Sequence, residues 1–305
     1  AVAAVAEGPN PFIALGLDGA LVRAVSDLGY TQPTEVQAKV IPLAMGSGKA
    51  DEASIDLMVS SQTGSGKTAA FLLPVLNTLI AQKAIEAAAE QAEFERQRAQ
   101  AAASGEAAPK RAKRKNPMQS RNFKAAVPGA LVLCPTRELA QQVAQDAIEL
   151  VKHCKNLRVA NVVGGMPYQL QIAKLQNADL VVATPGRLLD LQRSLQIKLD
   201  KVQFLVVDEA DRMLDLGFAD DLEEVHQMTA QRKQTMMFSA TFAPRIQQLA
   251  MRVMHDGGAN VQKITIATPQ QGHDNIQQKL YWADHAQHKR KLLDHWLRDT
   301  TINQA

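Results

Sequence analysis

Two short segments carry residue types that suit phosphate chemistry with a divalent metal ion. The first is the acidic segment 208–211, Asp-Glu-Ala-Asp, which directly follows the apolar run 204–207. Such a run is typical of a parallel strand buried on both faces. Carboxylates at its carboxyl end lie where open α/β sheets bind ligands. They suit a hydrated Mg²⁺ and an activated water, and packing gives no reason for three acids at this place.

The second segment predicts a phosphate-binding loop. It follows the strand-like run 57–60, precedes a helix-like stretch, and consists of Gln62, Thr63, Gly64, Ser65, Gly66, Lys67 and Thr68. Its glycines let backbone N–H groups close on phosphate oxygens, and the following helix N-terminus adds positive potential. Lys67 would reach the β- and γ-phosphates, and Thr68 would place its hydroxyl on Mg²⁺. The usual pattern begins with glycine where this chain has Ser61, so the segment alone is also compatible with a Gly-Ser turn.

Composition permits this chemistry and excludes some alternatives. The chain has 305 residues and a net charge of +3, so it exceeds one typical domain and is mildly basic. Two cysteines do not suggest a disulfide framework, and we expect a reducing, cytoplasmic location. No segment approaches a membrane span by its sequence pattern, so no membrane partner is expected. The absence of an initial methionine leads us to expect a chain that is processed or cut from a longer one.

Strand-like runs alternate with helical patterns along most of the chain. The runs cover 57–60, 130–134, 158–163, 179–183, 203–207 and 234–238, and a last one covers 261–266. This alternation predicts an α/β fold with a doubly wound, mostly parallel sheet and helices on both faces. The apolar positions Leu139, Val143, Ala147 and Val151, four residues apart, predict one of these helices.

One segment, 83–127, interrupts the alternation. It begins with an Ala/Glu/Gln-rich stretch to about residue 103 and continues with basic residues that no acid separates. These are Lys110, Arg111, Lys113, Arg114, Lys115, Arg121 and Lys124. Without a sustained apolar stripe, the segment predicts a protruding helix and a disordered basic loop. A solvated insertion, an auxiliary phosphate-binding arm and a nuclear localisation signal all remain open.

Three further loops follow strands and offer positions for anions. Thr136 and Thr184 are each placed to cap a following helix, and Pro185 occupies the first position of the second helix. Between them lies the pair Gly164-Gly165, where a backbone can approach a ligand closely. Helix N-termini that carry arginines form a row of anion sites along one sheet edge, which suggests a polyphosphate backbone. Ordinary capped connections are the alternative.

In this order, the segments between Phe12 and Thr241 resemble the N-terminal half of a DEAD-box RNA helicase core. The stretch 29–37 resembles the family's adenine-recognising Q motif. The following motifs match 62–68, 135–140 with the glycine pair, 184–187, 208–211 and 239–241. The resemblance implies a RecA-like P-loop NTPase domain over 1–271, with its Q motif at 10–38. Residues 272–305 would then form a linker and the start of a second RecA-like domain, with its first strand at 276–283 and its first helix at 288–293.

The resemblance also implies ATP and Mg²⁺ as cofactors and assigns roles to single residues. Gln37 would bind the adenine edge through both ends of its amide, Phe12 would stack on the base, and Tyr30 and Gln32 would complete the base site. Asp208 would hold Mg²⁺ through water. Glu209 would orient and deprotonate the attacking water.

A second group of implied residues serves RNA. Asp211, Ser239 and Thr241 would link the nucleotide state to the RNA side, with the hydroxyls hydrogen-bonded to the acidic segment. A single RNA strand would lie on Pro135, Thr136, Arg137, Gly164, Gly165, Thr184, Pro185, Gly186 and Arg187. Such contacts touch the phosphate backbone, so binding would be independent of sequence. We expect a monomer, and the sequence names no protein partner.

The resemblance stops before the second-domain motifs, including the arginine pair that completes the ATP site. An arginine finger contributes roughly 10³–10⁵ in rate in related systems, so we expect this chain to bind nucleotide and hydrolyse it slowly. Duplex unwinding and ATP-gated clamping of RNA fit the motifs equally. The residues Asp-Glu-Ala-Asp at 208–211 and the presence of Gln37 argue against a DNA-directed relative.

Several other residues are expected to have no chemical role. The seven histidines show no paired metal-ligand spacing. We expect Trp282 and Trp296 to pack, Cys134 to be inert within a buried strand, and Pro74 to bend its helix.

Overall fold

The structure is a computed structural model. It describes residues 10–46, 55–62, 64–104, 124–266 and 281–298. By its internal contacts the chain divides into two units, 1–267 and 268–305. The first unit contains the sheet and all the motifs described above.

The sheet has seven strands, and every pairing in it is parallel. The strands are β1 (Leu57–Ser60), β2 (Ala130–Leu133), β3 (Val159–Val162), β4 (Leu180–Ala183), β5 (Phe204–Val207), β6 (Gln234–Ser239) and β7 (Gln262–Thr265). Their order across the sheet is β3-β4-β2-β5-β6-β1-β7. The predicted α/β fold is confirmed, and each of the strand-like runs predicted between 57 and 266 matches an observed strand to within two residues.

Helices follow most strands. They are α1 (Gly19–Asp27), α2 (Glu35–Met45), α3 (Lys67–Ser104), α4 (Arg137–Leu150), α5 (Tyr168–Leu175), α6 (Pro185–Arg193), α7 (Ala210–Asp215), α8 (Ala219–Met228), α9 (Pro244–Val253) and α10 (Ala286–Leu297). Short 3₁₀ segments cover Pro11–Leu15 and His255–Gly258.

The sheet separates two buried apolar layers. Successive residues of β5 alternate between them: Phe204 and Val206 belong to one layer, and Leu205 and Val207 belong to the other. Helices α1–α4 contribute to the first layer, and α6–α9 contribute to the second. Both faces of the strand are therefore buried, which explains its uninterrupted apolar run. The carboxyl edge is left for polar residues.

Helix α3 is long because the Ala/Glu/Gln-rich segment continues it. Its buried positions are concentrated between Lys67 and Leu79, and the residues beyond Gln82 are mostly exposed. Pro74 lies within the helix. By length and mean hydropathy α3 also passes as a membrane-spanning helix, contrary to the sequence-based expectation. Half of its apolar window is buried inside the protein, however, and the core helix of a water-soluble protein passes the same test. The basic residues 110–121 lie outside the described residues.

The second unit shows one helix and no core among its described residues. α10 lies where the sequence predicted a helix, and none of its residues is buried. The residues described from the predicted strand 276–283, Tyr281 to Ala283, form no strand. The expectation that Trp282 packs is wrong, since the side chain is 88% exposed. Trp296 does contact a ring, that of Tyr281, with ring centres 5.3 Å apart.

Candidate functional site

The strand order sorts the motif loops into two groups at the carboxyl edge. The loops after β1, β5 and β6 are neighbours, and they form what we call the phosphate-loop half. The loops after β2, β3 and β4 are also neighbours, and they form what we call the arginine half. Because all strands are parallel, both groups lie at the same edge, where α/β sheets bind ligands.

Lys67 joins the two motifs of the phosphate-loop half. It is the first residue of α3, and its Nζ lies 3.2 Å from Oδ1 of Asp208 and 3.6 Å from Oε1 of Glu209. The Lys67 side chain is only 10% exposed and that of Asp208 is fully buried. Buried charges need partners, and here lysine and the two acids supply them to one another. The structure therefore brings together the residues that the sequence predicted to act on phosphate.

Asp208 keeps one oxygen without a partner. Its Oδ1 accepts the N–H of Glu209 at 2.9 Å, whereas its Oδ2 is buried and makes no hydrogen bond. Burial raises the pKa of this carboxyl group, and the charge of Lys67 opposes that rise. A buried carboxylate oxygen without a partner suits a cation or a water bound to one. The residues thus fit Mg²⁺, which prefers few carboxylates and keeps several waters.

Glu209 occupies an unusual backbone conformation. Its φ of +49° and ψ of 54° lie in the left-handed region, which costs a residue with a side chain about 1–3 kcal/mol. Asp208 and Glu209 together connect β5 to α7, and the Glu209 side chain is 18% exposed. A strained residue with a partly accessible carboxylate at a sheet edge is a candidate catalytic group.

A pocket of about 350 Å³ opens beside these residues. The phosphate loop and Glu209 form one wall, and Tyr30 lines another. Helix α4 contributes Gln142 and Asp146, which the sequence reasoning did not single out. The spacing of four residues between them shows that both lie on one face of α4, but only the packing of α4 beside α3 reveals that this face borders the pocket. Burial raises the pKa of Asp146.

Gln37 has a different set of partners from the one we expected. Its Oε1 accepts the N–H of Thr34 at 3.0 Å, and its Nε2 donates to the carbonyl of Gly66 at 3.1 Å. Thr34 and Gln37 form the capping box of α2, a pattern that the sequence reasoning overlooked. Each end of the amide thus makes one hydrogen bond, which leaves one N–H and one lone pair free, so the bidentate contact with adenine stays a prediction.

The other predicted base-site residues are placed as follows. Phe12 is fully buried in the apolar layer, so its ring is not exposed in this conformation, and stacking on a base stays a prediction. Its ring gains more from the core than from a solvent-facing site. Gln32 and Gln62 are exposed. Ser65 has a buried hydroxyl without a partner, and Thr63 lies outside the described residues.

The coupling residues do not form the hydrogen bonds that we expected. The hydroxyl of Ser239 is buried and has no partner, so it does not bond to the acidic segment. Thr241 is exposed, and Asp211 is partly buried at the start of α7. The loops after β1 and β6 are joined through main-chain oxygens instead. The N–H of Ser61 donates to the carbonyl of Ser239 at 3.0 Å, and the hydroxyl of Ser60 donates to the carbonyl of Ala240 at 3.0 Å.

In the arginine half, two helices begin at the predicted threonines. The Oγ1 of Thr136 accepts the N–H of Leu139 at 3.3 Å, which confirms the predicted cap of α4. Thr184 also stands at an N-cap position, with Pro185 next to it, but its side chain makes no capping hydrogen bond. Pro135 and Pro185 are buried, whereas Gly186 is exposed.

Two arginines flank the glycine pair. Gly165 has a φ of +76°, and a Cβ at this position would lie 2.5 Å from Nη1 of Arg137. Arg187 donates from Nη1 to the carbonyl of Met166 at 3.4 Å. Arg137 itself is exposed. Close packing of an exposed guanidinium on bare backbone makes a surface that suits a chain of phosphates.

Cys134 lies in the arginine half, after the strand that pairs with β5 of the phosphate-loop half. It follows β2, is fully buried, and its pKa is raised well above the usual value by burial and then by the charge of Asp208. A buried thiol with a raised pKa is unreactive, as the sequence predicted.

Comparisons with known proteins agree with this geometry. The family model described as DEAD/DEAH box helicase matches residues 34–249. The chain is 39% identical over 288 residues to DEAD-box ATP-dependent RNA helicase 52A of Oryza sativa subsp. japonica, covering 93% of this chain and 42% of the relative. It is 36% identical over 296 residues to the ATP-dependent RNA helicase SrmB of Escherichia coli, covering 96% of this chain and 55% of the relative.

Solved structures show the same fold. A DEAD box protein from Methanococcus jannaschii matches with a TM-score of 0.60 and 31% identity, over 84% of this chain and 55% of that one. Dbp5 of S. cerevisiae bound to RNA and ADP BeF3 matches with a TM-score of 0.60 and 27% identity, over 85% and 52%. The chain thus spans about half the length of these proteins.

Proposed function

Because the chain belongs to the DEAD/DEAH box helicase family, we propose that the protein hydrolyses ATP in an RNA-dependent reaction and uses it to separate short duplexes or remodel RNA–protein complexes. The observation that carries this proposal is the contact of Lys67 with Asp208 and Glu209 at the sheet edge. The names of the relatives, which are ATP-dependent RNA helicases, support it.

The phosphate-loop half would bind ATP with Mg²⁺. Lys67 would leave the two acids and contact the phosphates, since the phosphates carry more negative charge than either carboxylate. Thr68 and the unpartnered oxygen of Asp208 would hold Mg²⁺, the latter through water. Held there, Mg²⁺ would supply positive charge against the negative charge that develops on the phosphates.

Glu209 would act on the attacking water. Once Lys67 has moved to the phosphates, the Glu209 carboxylate loses its nearest cation and can accept a proton. Its left-handed backbone holds the carboxylate next to the pocket before ATP arrives. Glu209 would thus orient the water and take its proton.

Base recognition would start from Tyr30, which is 40% exposed and lines the pocket. Gln37 would offer adenine its second N–H and its second lone pair while its other N–H donates to the carbonyl of Gly66. Since Gly66 belongs to the phosphate loop, this shared amide would connect recognition of the base with the shape of the loop around the phosphates.

The arginine half would bind one RNA strand through its phosphates. Arg137, Arg187 and the backbone near Gly165 would make these contacts, and Thr184 keeps its hydroxyl out of a cap bond. None of these groups reads a base edge, so we propose binding that is independent of sequence.

Binding and turnover by the 305-residue chain test the proposal. We expect it to bind ATP with Mg²⁺ more tightly than GTP and to bind single-stranded RNA. Turnover should be slow, because no arginine finger contacts the pocket within the described residues. Glu209→Gln should retain ATP binding and abolish the remaining turnover. Full turnover by Glu209→Gln would remove Glu209 from its role, and stimulation by DNA equal to that by RNA would contradict the RNA assignment.

A further inference from the structure

Gln171 is a fully buried side chain that holds the glycine pair of the arginine half. It lies on α5, and its Nε2 donates to the carbonyl of Val163 at 2.9 Å and to the carbonyl of Met166 at 3.1 Å. These two carbonyls bracket Gly164 and Gly165. No other residue of the described chain contacts the loop on both sides of the glycine pair through hydrogen bonds from one side chain.

The buried amide of Gln171 is only partly satisfied by hydrogen bonds. The Oε1 of Gln171 is buried and has no hydrogen-bond partner. An unsatisfied buried amide oxygen is unfavourable. The buried amide therefore needs an explanation beyond packing, and the two donated hydrogen bonds supply one.

Peptide geometry shows what these hydrogen bonds determine. In a trans peptide the C=O and the following N–H point in opposite directions. The carbonyl of Val163 points toward buried Gln171, so the N–H of Gly164 points away from it. That N–H makes no backbone hydrogen bond to any described residue. The side chain of Gln171 therefore fixes an N–H donor that is directed away from the core at the edge where RNA would lie.

Arg187 and Arg137 also contact this loop. Arg187 donates to the Met166 carbonyl that Gln171 also contacts. Arg137 packs against the backbone of Gly165, whose positive φ keeps the loop in a shape that a side chain would disturb. The loop is thus held between a buried amide and two exposed or partly exposed guanidinium groups.

We propose that Gln171 is a positioning residue for RNA: it holds the Val163–Met166 loop so that the Gly164 N–H donates to a phosphate of the bound strand. The inference rests on the proposed function, because it assumes that RNA lies on the arginine half. Gln171 itself does not touch the RNA.

Salt dependence distinguishes this role from that of a charged contact. A lysine or arginine on a phosphate releases counterions, and its loss lowers the slope of log affinity against log salt by about 0.7 for a single strand. A backbone N–H carries no net charge. Loss of its contact should weaken binding at every salt concentration and leave the slope unchanged.

The test measures binding of a single-stranded 12-nucleotide oligouridylate to the 305-residue chain by fluorescence anisotropy at several salt concentrations. Gln171→Met removes both donors at similar side-chain volume. We expect RNA affinity to fall by about 3- to 10-fold, the loss expected for one or two hydrogen bonds, with an unchanged slope and unchanged ATP affinity. Arg137→Ala should lower both the affinity and the slope.

Gln176→Met is the matched control. Gln176 is also buried and also donates its Nε2 to a main-chain carbonyl, that of Lys124 at 3.0 Å, but it lies away from the glycine loop. The Gln176→Met variant should lose thermal stability and keep the RNA affinity of the wild type. Equal losses of RNA affinity in the two variants, or wild-type affinity in folded Gln171→Met, would overturn the inference.

Two further outcomes are distinguishable. If Gln171→Met does not fold, Gln171→Asn keeps the amide but is one methylene too short to reach both carbonyls. It should weaken RNA binding with an unchanged slope, and wild-type affinity would overturn the inference. If the wild-type chain does not bind RNA, or Arg137→Ala binds as tightly as wild type, the proposed RNA site fails and the inference fails with it. If only the Gln171 variants bind normally, the RNA site stands and the inference alone fails.

Discussion

In the phosphate-loop half, Lys67 is nearly buried and contacts two carboxylates, whereas in the arginine half Arg137 is exposed and pairs with no carboxylate of the described chain. The difference follows from burial. A buried charge needs a partner from the protein, while an exposed charge is stabilised by water. The charges of Lys67, Asp208 and Glu209 are consequently paired without a ligand, and a nucleotide has to replace these contacts. The arginine half already presents its cation.

The glycines show the same difference. Gly66 is packed against the Q-motif side chains, with a hypothetical Cβ only 2.7 Å from Nε2 of Gln37, while Gly165 is packed against the guanidinium end of exposed Arg137. Gly66 therefore connects two parts of a closed site. Gly165 instead supports an open surface. Ligand binding should reorganise the first half more than the second.

Removal of the central cation should have the largest effect. Lys67→Ala deletes a charged contact to the phosphates, so we expect ATP affinity to fall by about 10- to 100-fold, as the loss of one or two charge-assisted hydrogen bonds predicts. RNA affinity in the absence of nucleotide should not change. Isothermal titration calorimetry measures the first and fluorescence anisotropy the second.

The control for this change is Lys83→Ala. Lys83 also pairs with a carboxylate, that of Asp179 at 2.9 Å, but on a part of α3 beyond the pocket residues. The ATP affinity of the Lys83→Ala variant should equal that of the wild type. A similar loss in both variants would mean that Lys67 acts through general stability.

Alanine substitution of Gly66 and of Gly165 should show whether each half binds its ligand independently of the other. Both positions have positive φ, which costs a residue with a side chain about 1–2 kcal/mol, and both added methyl groups meet a neighbour. We expect Gly66→Ala to lower ATP affinity about tenfold or more and Gly165→Ala to lower RNA affinity by a smaller factor. Calorimetry and anisotropy on both variants would show whether each change affects only its own ligand.

Gly19→Ala provides the reference for these glycine variants. Gly19 has no positive φ, and no atom lies within 4 Å of an added Cβ. Neither affinity should change. If Gly66→Ala weakened RNA binding as much as ATP binding, the two halves would not be independent.

A single exposed arginine should have a smaller effect. Arg137→Ala is expected to lower RNA affinity by roughly 3- to 10-fold and the salt slope by about 0.7. Arg193→Ala serves as the control, because Arg193 pairs with Glu224 at 2.8 Å at the far end of α6. An unchanged salt slope for Arg137→Ala would show that its guanidinium does not contact phosphate.

The smallest effect is expected at Ser239. Its hydroxyl is buried without a partner, so Ser239→Ala removes no hydrogen bond and should leave the free energy of unfolding unchanged or raise it by up to about 1 kcal/mol. Thr136→Ala, which removes a helix cap, should cost about 1 kcal/mol. Urea denaturation compares the two. A large loss for Ser239→Ala would indicate that the hydroxyl has a partner in solution, such as the acidic segment.

The sequence predicted the strands and the placement of the motifs at their carboxyl ends. A strand buried on both faces must be apolar throughout, so runs such as 204–207 mark its position, and the first polar residue after the run marks the edge. The start of α4 could be predicted from Thr136, because a helix cap is a local interaction. These features depend on residues close together in the chain.

Only the tertiary structure decided which of these residues meet. The order β3-β4-β2-β5-β6-β1-β7 separates the phosphate-loop half from the arginine half, and no local pattern specifies it. The partner of Gln37 lies 29 residues away, and Phe12 is buried by packing that its own segment does not reveal. Gln171 looked like any polar helix residue until the fold placed its amide beneath the glycine pair. Local residue patterns determine which elements form, but contacts between distant elements depend on how those elements pack, and packing is decided by the whole chain.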